Sequence, residues 1–98
     1  MHIRQALFGL ISQFVKSKAR DAVCSLVAKM LREERVKHGL SMNAVAERAG
    51  LSYQMVSYVE REMRMPTLDT LLRMAEALDL NLGEFITRAE RAISGGIK

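Results

Sequence analysis

Residues 41–60, SMNAVAERAGLSYQMVSYVE, leave the chain few options, because they set two short helical runs around a single glycine. Ser41 can cap the first run, offering its hydroxyl to backbone N–H groups that lack a partner within the helix. Val45, Ala46 and Ala49 share one face at helical spacing. Gly50 falls where that run must stop, supplying a positive φ that a β-carbon would penalise. Leu51 packs into the corner, Ser52 caps the second run, and Val56 and Val59 give it an inward side. Ala46 lies where two crossing helices come closest, so its small size sets how tightly they approach. A lone alanine or glycine says little. Together, at these spacings, they specify two helices set at an angle across a tight turn.

At 100° per residue the second run places Tyr53, Gln54, Ser57, Tyr58 and Arg61 at about 0, 100, 40, 140 and 80°, opposite Val56 and Val59. This stripe holds a guanidinium, an amide, two phenols and a hydroxyl, and no acid. Glutamine can bond bidentately to adenine, arginine can bond guanine or phosphate, and an aromatic edge can meet a thymine methyl. Most polar stripes are simply solvated. Two large tyrosines beside a glutamine fit that plain reading poorly, and the preceding helix and turn favour a reading surface.

Residues 26–87 resemble the helix-turn-helix domain of the phage repressor and Cro-like proteins, the XRE family. The matching residues are LREERVKHGLS at 31–41, AVAERAGLS at 44–52, VSYVER at 56–61 and MPTLDTLLRMAEALDL at 65–80. The resemblance implies an all-α fold: a five-helix repressor-like bundle, here preceded by an additional N-terminal amphipathic helix. It implies a dimer on double-stranded DNA, the second motif helix in the major groove and half-sites about one helical turn apart. Matched position by position, it implies base contacts from Tyr53, Gln54, Met55, Ser57 and Tyr58, with phosphate contacts from Asn43, Arg61 and Arg64. It also implies that Arg35, on the first domain helix, pairs with Glu60 late in the reading helix and fixes its angle. Two positions depart from the family pattern. Met42 stands where a phosphate-binding glutamine is common, and Arg61-Glu62-Met63-Arg64 fills a turn that often holds glycine.

The 98 residues suit one domain with a core of ordinary size. About half are hydrophobic, with seven methionines and one proline, and no run alternates long enough for a strand. A single cysteine, Cys24, excludes an internal disulfide and agrees with a reducing cytoplasm. The net charge of +4 is unevenly spread: residues 1–24 hold four basic residues and one acid (+3), and 25–98 hold eleven and ten (+1). Any DNA affinity therefore comes from local placement of Arg61, Arg64 and helix N-termini, not from a general basic field.

The first stretch, MHIRQALFGLISQFVKS, carries Ile3, Leu7, Leu10, Ile11, Phe14 and Val15 on one helical face, with Gln5, Gly9, Ser12, Gln13 and Lys16 opposite. It makes a poor secretory signal, because Gln13 interrupts the apolar run and no small-residue cleavage site follows. Its basic residues (Arg4, Lys16, Lys18, Arg20) are too few to favour a membrane surface. Burial against protein, either this domain or a second copy, is the preferred reading. A bend is expected near 17–21, where Ser17 or Asp21 could cap a new helix, although one helix running on to His38 is the other option. The division is then 1–20 as a helical extension, 21–94 as the DNA-binding domain and 95–98 as a frayed end.

Beyond the bend, Ala22, Val23, Leu26, Val27, Met30 and Leu31 continue the apolar spacing, and Gly39 ends the helix. Thr67 should cap the next helix after Pro66, with Asp69 in its first turn and Leu68, Leu71, Leu72, Ala75 and Leu78 inward. Asn81 and Glu84 have capping-box spacing and start a last helix carrying Leu82, Phe85, Ile86 and Ala89.

No catalytic constellation stands out, and neither a cofactor nor a metal is expected. His2, His38 and Cys24 are not at metal-ligand spacings, and Gly95-Gly96 lacks the Lys-Ser/Thr of a phosphate-binding loop. The leading expectation is a cytoplasmic, homodimeric, sequence-specific transcriptional regulator, a repressor on a palindromic operator, and not an enzyme. The alternative is an antitoxin-type interaction module whose N-terminal helix covers a partner protein.

Overall fold

Helix ends, more than helix interiors, set the architecture. The computed structural model describes residues 2–96, and the side chains from residue 6 onward except those of 12, 14 and 96. Five helices follow in order: α1 (His2–Lys37), α2 (Met42–Ala49), α3 (Tyr53–Glu60), α4 (Leu68–Ala77) and α5 (Leu82–Gly96). Ser41, Ser52 and Thr67 each accept the backbone N–H three residues on, at 3.0, 3.0 and 3.1 Å, and Asn81 Oδ1 accepts from Glu84 at 3.1 Å. These are the caps expected from the sequence.

α1 to α4 also end alike, in a residue of left-handed φ flanked by two back-bonds to the last turn. At Gly39 and Gly50, with φ of 68 and 67°, the residue is the glycine that sequence predicts. At Glu62 and Asp79, with φ of 57 and 56°, it is not. Met63 N–H still reaches Tyr58 C=O at 2.9 Å, and Leu80 N–H reaches Ala75 C=O at 2.8 Å. Hydrogen bonding thus closes both turns despite the cost of a β-carbon in that region. The turn that lacks a family glycine keeps the glycine conformation.

The bend expected near 17–21 is absent. α1 runs unbroken through Ser17-Lys18-Ala19-Arg20-Asp21. A cap residue starts a helix only where something stops the preceding one, and this stretch has no glycine or proline and three strong helix formers. The N-terminal amphipathic helix is therefore continuous with the first helix of the domain. At 1.5 Å per residue its 36 residues span about 54 Å, which accounts for overall extents of 58 × 25 × 18 Å.

The core lies at the other end of α1. Val27, Ala28 and Leu31 meet Val45 and Ala46 of α2, Val56 and Val59 of α3, Met74 and Ala75 of α4, and Leu82, Phe85 and Ala89 of α5. Leu31, Val45, Val56 and Ala89 are fully buried, and Ala46 sits in the corner as its size requires. Leu68 and Leu72, expected inside, are instead exposed. The cap at Thr67 sets the register of α4 so that Leu71, Met74, Ala75 and Leu78 face inward, leaving Leu68 and Leu72 at the rim. Helical Gly95 lies within α5, whereas the expected fraying of Ile97 and Lys98, like the side chains of Ile3 and Phe14, lies outside the described residues.

The left-handed residues yield a stability test. Asp79→Gly removes the β-carbon strain and is expected to raise unfolding stability by about 0.5–1 kcal/mol, whereas Asp79→Val lowers it. Urea denaturation followed by circular dichroism reads both.

Candidate nucleic-acid interface

α3 is pinned on three sides. Val56 and Val59 are buried in the core beneath it. Ser52 closes its start, and the Glu60 side chain, only 3% exposed, fastens its last turn to α1. Arg35 Nε donates to Glu60 Oε2 at 2.6 Å and Nη2 donates to Oε1 at 2.9 Å, while Nη1 donates to Leu40 C=O at 2.8 Å. One planar guanidinium so joins the end of α1, the turn into α2 and the end of α3. The pairing implied by family resemblance is thus formed, in bidentate geometry. A second tie runs from the Ser25 hydroxyl of α1 to the Glu62 carboxylate just beyond α3, a contact that no spacing in the sequence announces.

With its inner side held, α3 turns Tyr53, Gln54 and Arg61 outward. Tyr53 is 48% exposed, and Gln54 and Arg61 are exposed as well. Tyr58 is half-buried. Gln54 Nε2 donates to the Tyr58 hydroxyl at 2.8 Å, an i,i+4 pair that helical spacing permits. The Arg64 guanidinium lies 4.7 Å from the centre of the Tyr58 ring, in cation–π contact. Gln54 is thereby steadied without being used up, since its amide keeps a second N–H and its carbonyl oxygen. Those are the two groups that a bidentate bond to adenine requires. Neither Arg61 nor Arg64 is in an ion pair among the described residues.

The other expected site residues are placed less uniformly. Ser57, in the middle of the stripe by angle, is buried, with only 8% exposed; its short side chain lies between the longer Tyr53, Gln54 and Arg61 in angular order. Met55 is half-buried, and its angular position sets it about 130° from the centre of the stripe. Asn43 is exposed in the first turn of α2, where backbone N–H groups and the helix dipole favour an anion. The open face therefore consists of Tyr53, Gln54 and Tyr58, rimmed by Arg61 and Arg64. Sequence reasoning missed the Gln54–Tyr58–Arg64 chain of contacts, although the i,i+4 spacing of the first pair was a readable signal.

A capped helix, a left-handed glycine turn and a second helix presenting such a face match what comparison with known proteins finds. The sequence profile described as Helix-turn-helix matches residues 31–85. The chain belongs to the helix-turn-helix family, of the XRE type. It is 33% identical over 63 residues to the HTH-type transcriptional regulator PuuR of Escherichia coli, covering 64% of this chain and 34% of that protein. The match thus spans about a third of PuuR. An HTH-type transcriptional regulator of Sinorhizobium fredii, y4dJ, is 36% identical over 76 residues, 78% of this chain and 94% of its own length. Among solved structures, the restriction-modification controller protein C.AhdI from Aeromonas hydrophila superposes with a TM-score of 0.59 at 35% identity, covering 64% of this chain and 94% of that one.

The anchoring of α3 can be tested directly. Glu60→Ala leaves the Arg35 side chain, only 14% exposed, without its carboxylate partner and is expected to cost about 3–5 kcal/mol of stability, and Arg35→Ala a comparable amount. The double replacement by apolar residues of similar volume is expected to cost far less than the sum. A double-mutant cycle by chemical denaturation measures the difference.

Proposed function

We propose that this helix-turn-helix transcriptional regulator acts as a homodimer that represses transcription by occupying a two-fold symmetric operator, with α3 in the major groove. What supports this reading most is the exposed Tyr53–Gln54–Tyr58 face of α3, rimmed by Arg61 and Arg64. Gln54 reads an adenine edge, Tyr53 packs against a thymine methyl or the backbone, and Arg61, Arg64 and Asn43 neutralise or bond phosphates. With residues 25–98 almost neutral, a handful of such contacts supplies the electrostatic attraction, so binding is steeply salt-dependent. Repression is favoured over activation because occupancy of promoter DNA by this domain is by itself enough to occlude it. Likeness to a restriction-modification controller protein supports a regulatory role.

The test compares Gln54→Ala and Arg64→Ala on a selected duplex and on random duplex, over a range of salt. Gln54→Ala is expected to lose about 1–3 kcal/mol of discrimination with little change on random DNA. Arg64→Ala is expected to weaken both and to reduce the salt slope by about one. Equal losses on both duplexes from Gln54→Ala would remove the base-reading role.

A further inference from the structure

The first half of α1 carries an apolar stripe that its own domain leaves bare. Leu7, Phe8, Leu10, Ile11 and Val15 are 54, 74, 64, 61 and 54% exposed. Further along the same helix, Val23, Leu26, Val27, Met30 and Leu31 face the core. On a wheel of 100° per residue the two sets point about 130° apart. Taken whole, α1 therefore has almost no net apolar direction, although each half has a clear one. The helix is unbroken between the two sets. The first stripe consequently cannot fold back onto its own bundle without breaking α1.

We propose that this stripe pairs with the same stripe of a second copy, so that the first half of α1 is the dimer-forming element. This deepens the homodimer reading above and rests on it. Charge supports a second copy over other occupants. Residues 5–15 contain no charged side chain at all. An anionic lipid surface or an acidic partner would call for basic residues along the flanks of the stripe. Between residues 5 and 15 this neutral stripe meets its own copy with no like-charge contact. The amount of surface also suffices. Five large apolar side chains, each more than half exposed, present on the order of 500 Å² per copy, and a symmetric pair then buries about the 1,000 Å² that a specific interface needs. The stiffness of α1 gives the pairing a consequence. Arg35 and Ser25 tie the same helix to the last residue of α3, Glu60, and to the start of the turn that follows it, Glu62. Dimer geometry and reading-helix placement are joined by one rod.

Sedimentation velocity of the full chain at micromolar concentration tests the proposal, comparing wild type with Leu10→Glu combined with Ile11→Glu. The wild type is expected to sediment as a dimer and the variant as a monomer of unchanged core stability, with dimer affinity weakened roughly a hundredfold or more. Leu10→Ala with Ile11→Ala keeps helix propensity and is expected to shift the equilibrium in the same direction by less. A variant as dimeric as wild type would overturn the proposal. So would a monomeric wild type, or wild-type chain that floats with vesicles of phosphatidylserine while the variant does not. A wild type that dimerises through this stripe yet binds no DNA would sustain the proposal and sink the operator reading, so the two can fail separately.

Discussion

The Arg35–Glu60 pair is the constraint on which the rest of the structure turns. Apolar contacts between α1 and α3, such as those around Leu31 and Val59, are non-directional and would tolerate rotation or sliding of a helix only eight residues long. A planar guanidinium gripping both carboxylate oxygens tolerates neither. Its third contact, to Leu40 C=O, brings the turn before α2 into the same arrangement. The pair adds little net stability relative to well-packed apolar residues, because two charges leave water to form it. What it supplies is orientation of α3, on which the proposed reading role depends more than on stability.

Orientation has value here because of what α3 shows to solvent. With Glu60, Val56 and Val59 turned inward, Tyr53 and Gln54 have nowhere to go but out. The contacts from Gln54 to Tyr58 and from Tyr58 to Arg64 then limit the freedom of that surface before any ligand arrives. Less side-chain entropy remains to be lost on binding. Arg61 and Arg64, in no ion pair among the described residues, stand beside an uncharged face, the division of labour between phosphate positioning and base readout that the proposed function calls for.

Much of this was legible in the sequence, and the failures have physical causes. Caps at Ser41, Ser52, Thr67 and Asn81 and stops at Gly39 and Gly50 are local chemistry, so a sequence displays them. The Arg35–Glu60 pair was legible only through likeness to a family, since nothing in a spacing of 25 residues announces a contact. The break expected at 17–21 failed because capping residues permit a helix start without enforcing one. Leu68 and Leu72 were put inside because they share a helical stripe with Leu71 and Ala75; the inner arc of α4 is centred further round, toward Leu71 and Met74. Ser57 was placed in the stripe by angle and by family position, and it stands there with only 8% exposed, which neither signal conveys. Glu62 and Asp79 adopt a glycine's conformation without being glycine, and only the back-bonds of each turn reveal it.

The account comes down to whether the outer face of α3 distinguishes one base sequence from another. Selection of bound duplexes from random DNA by the full chain measures that most directly. The account predicts enrichment of a two-fold symmetric site with half-sites centred about one helical turn apart, containing adenine at a fixed position in each half. Recovery of unenriched DNA, at a yield governed by salt alone, would contradict it.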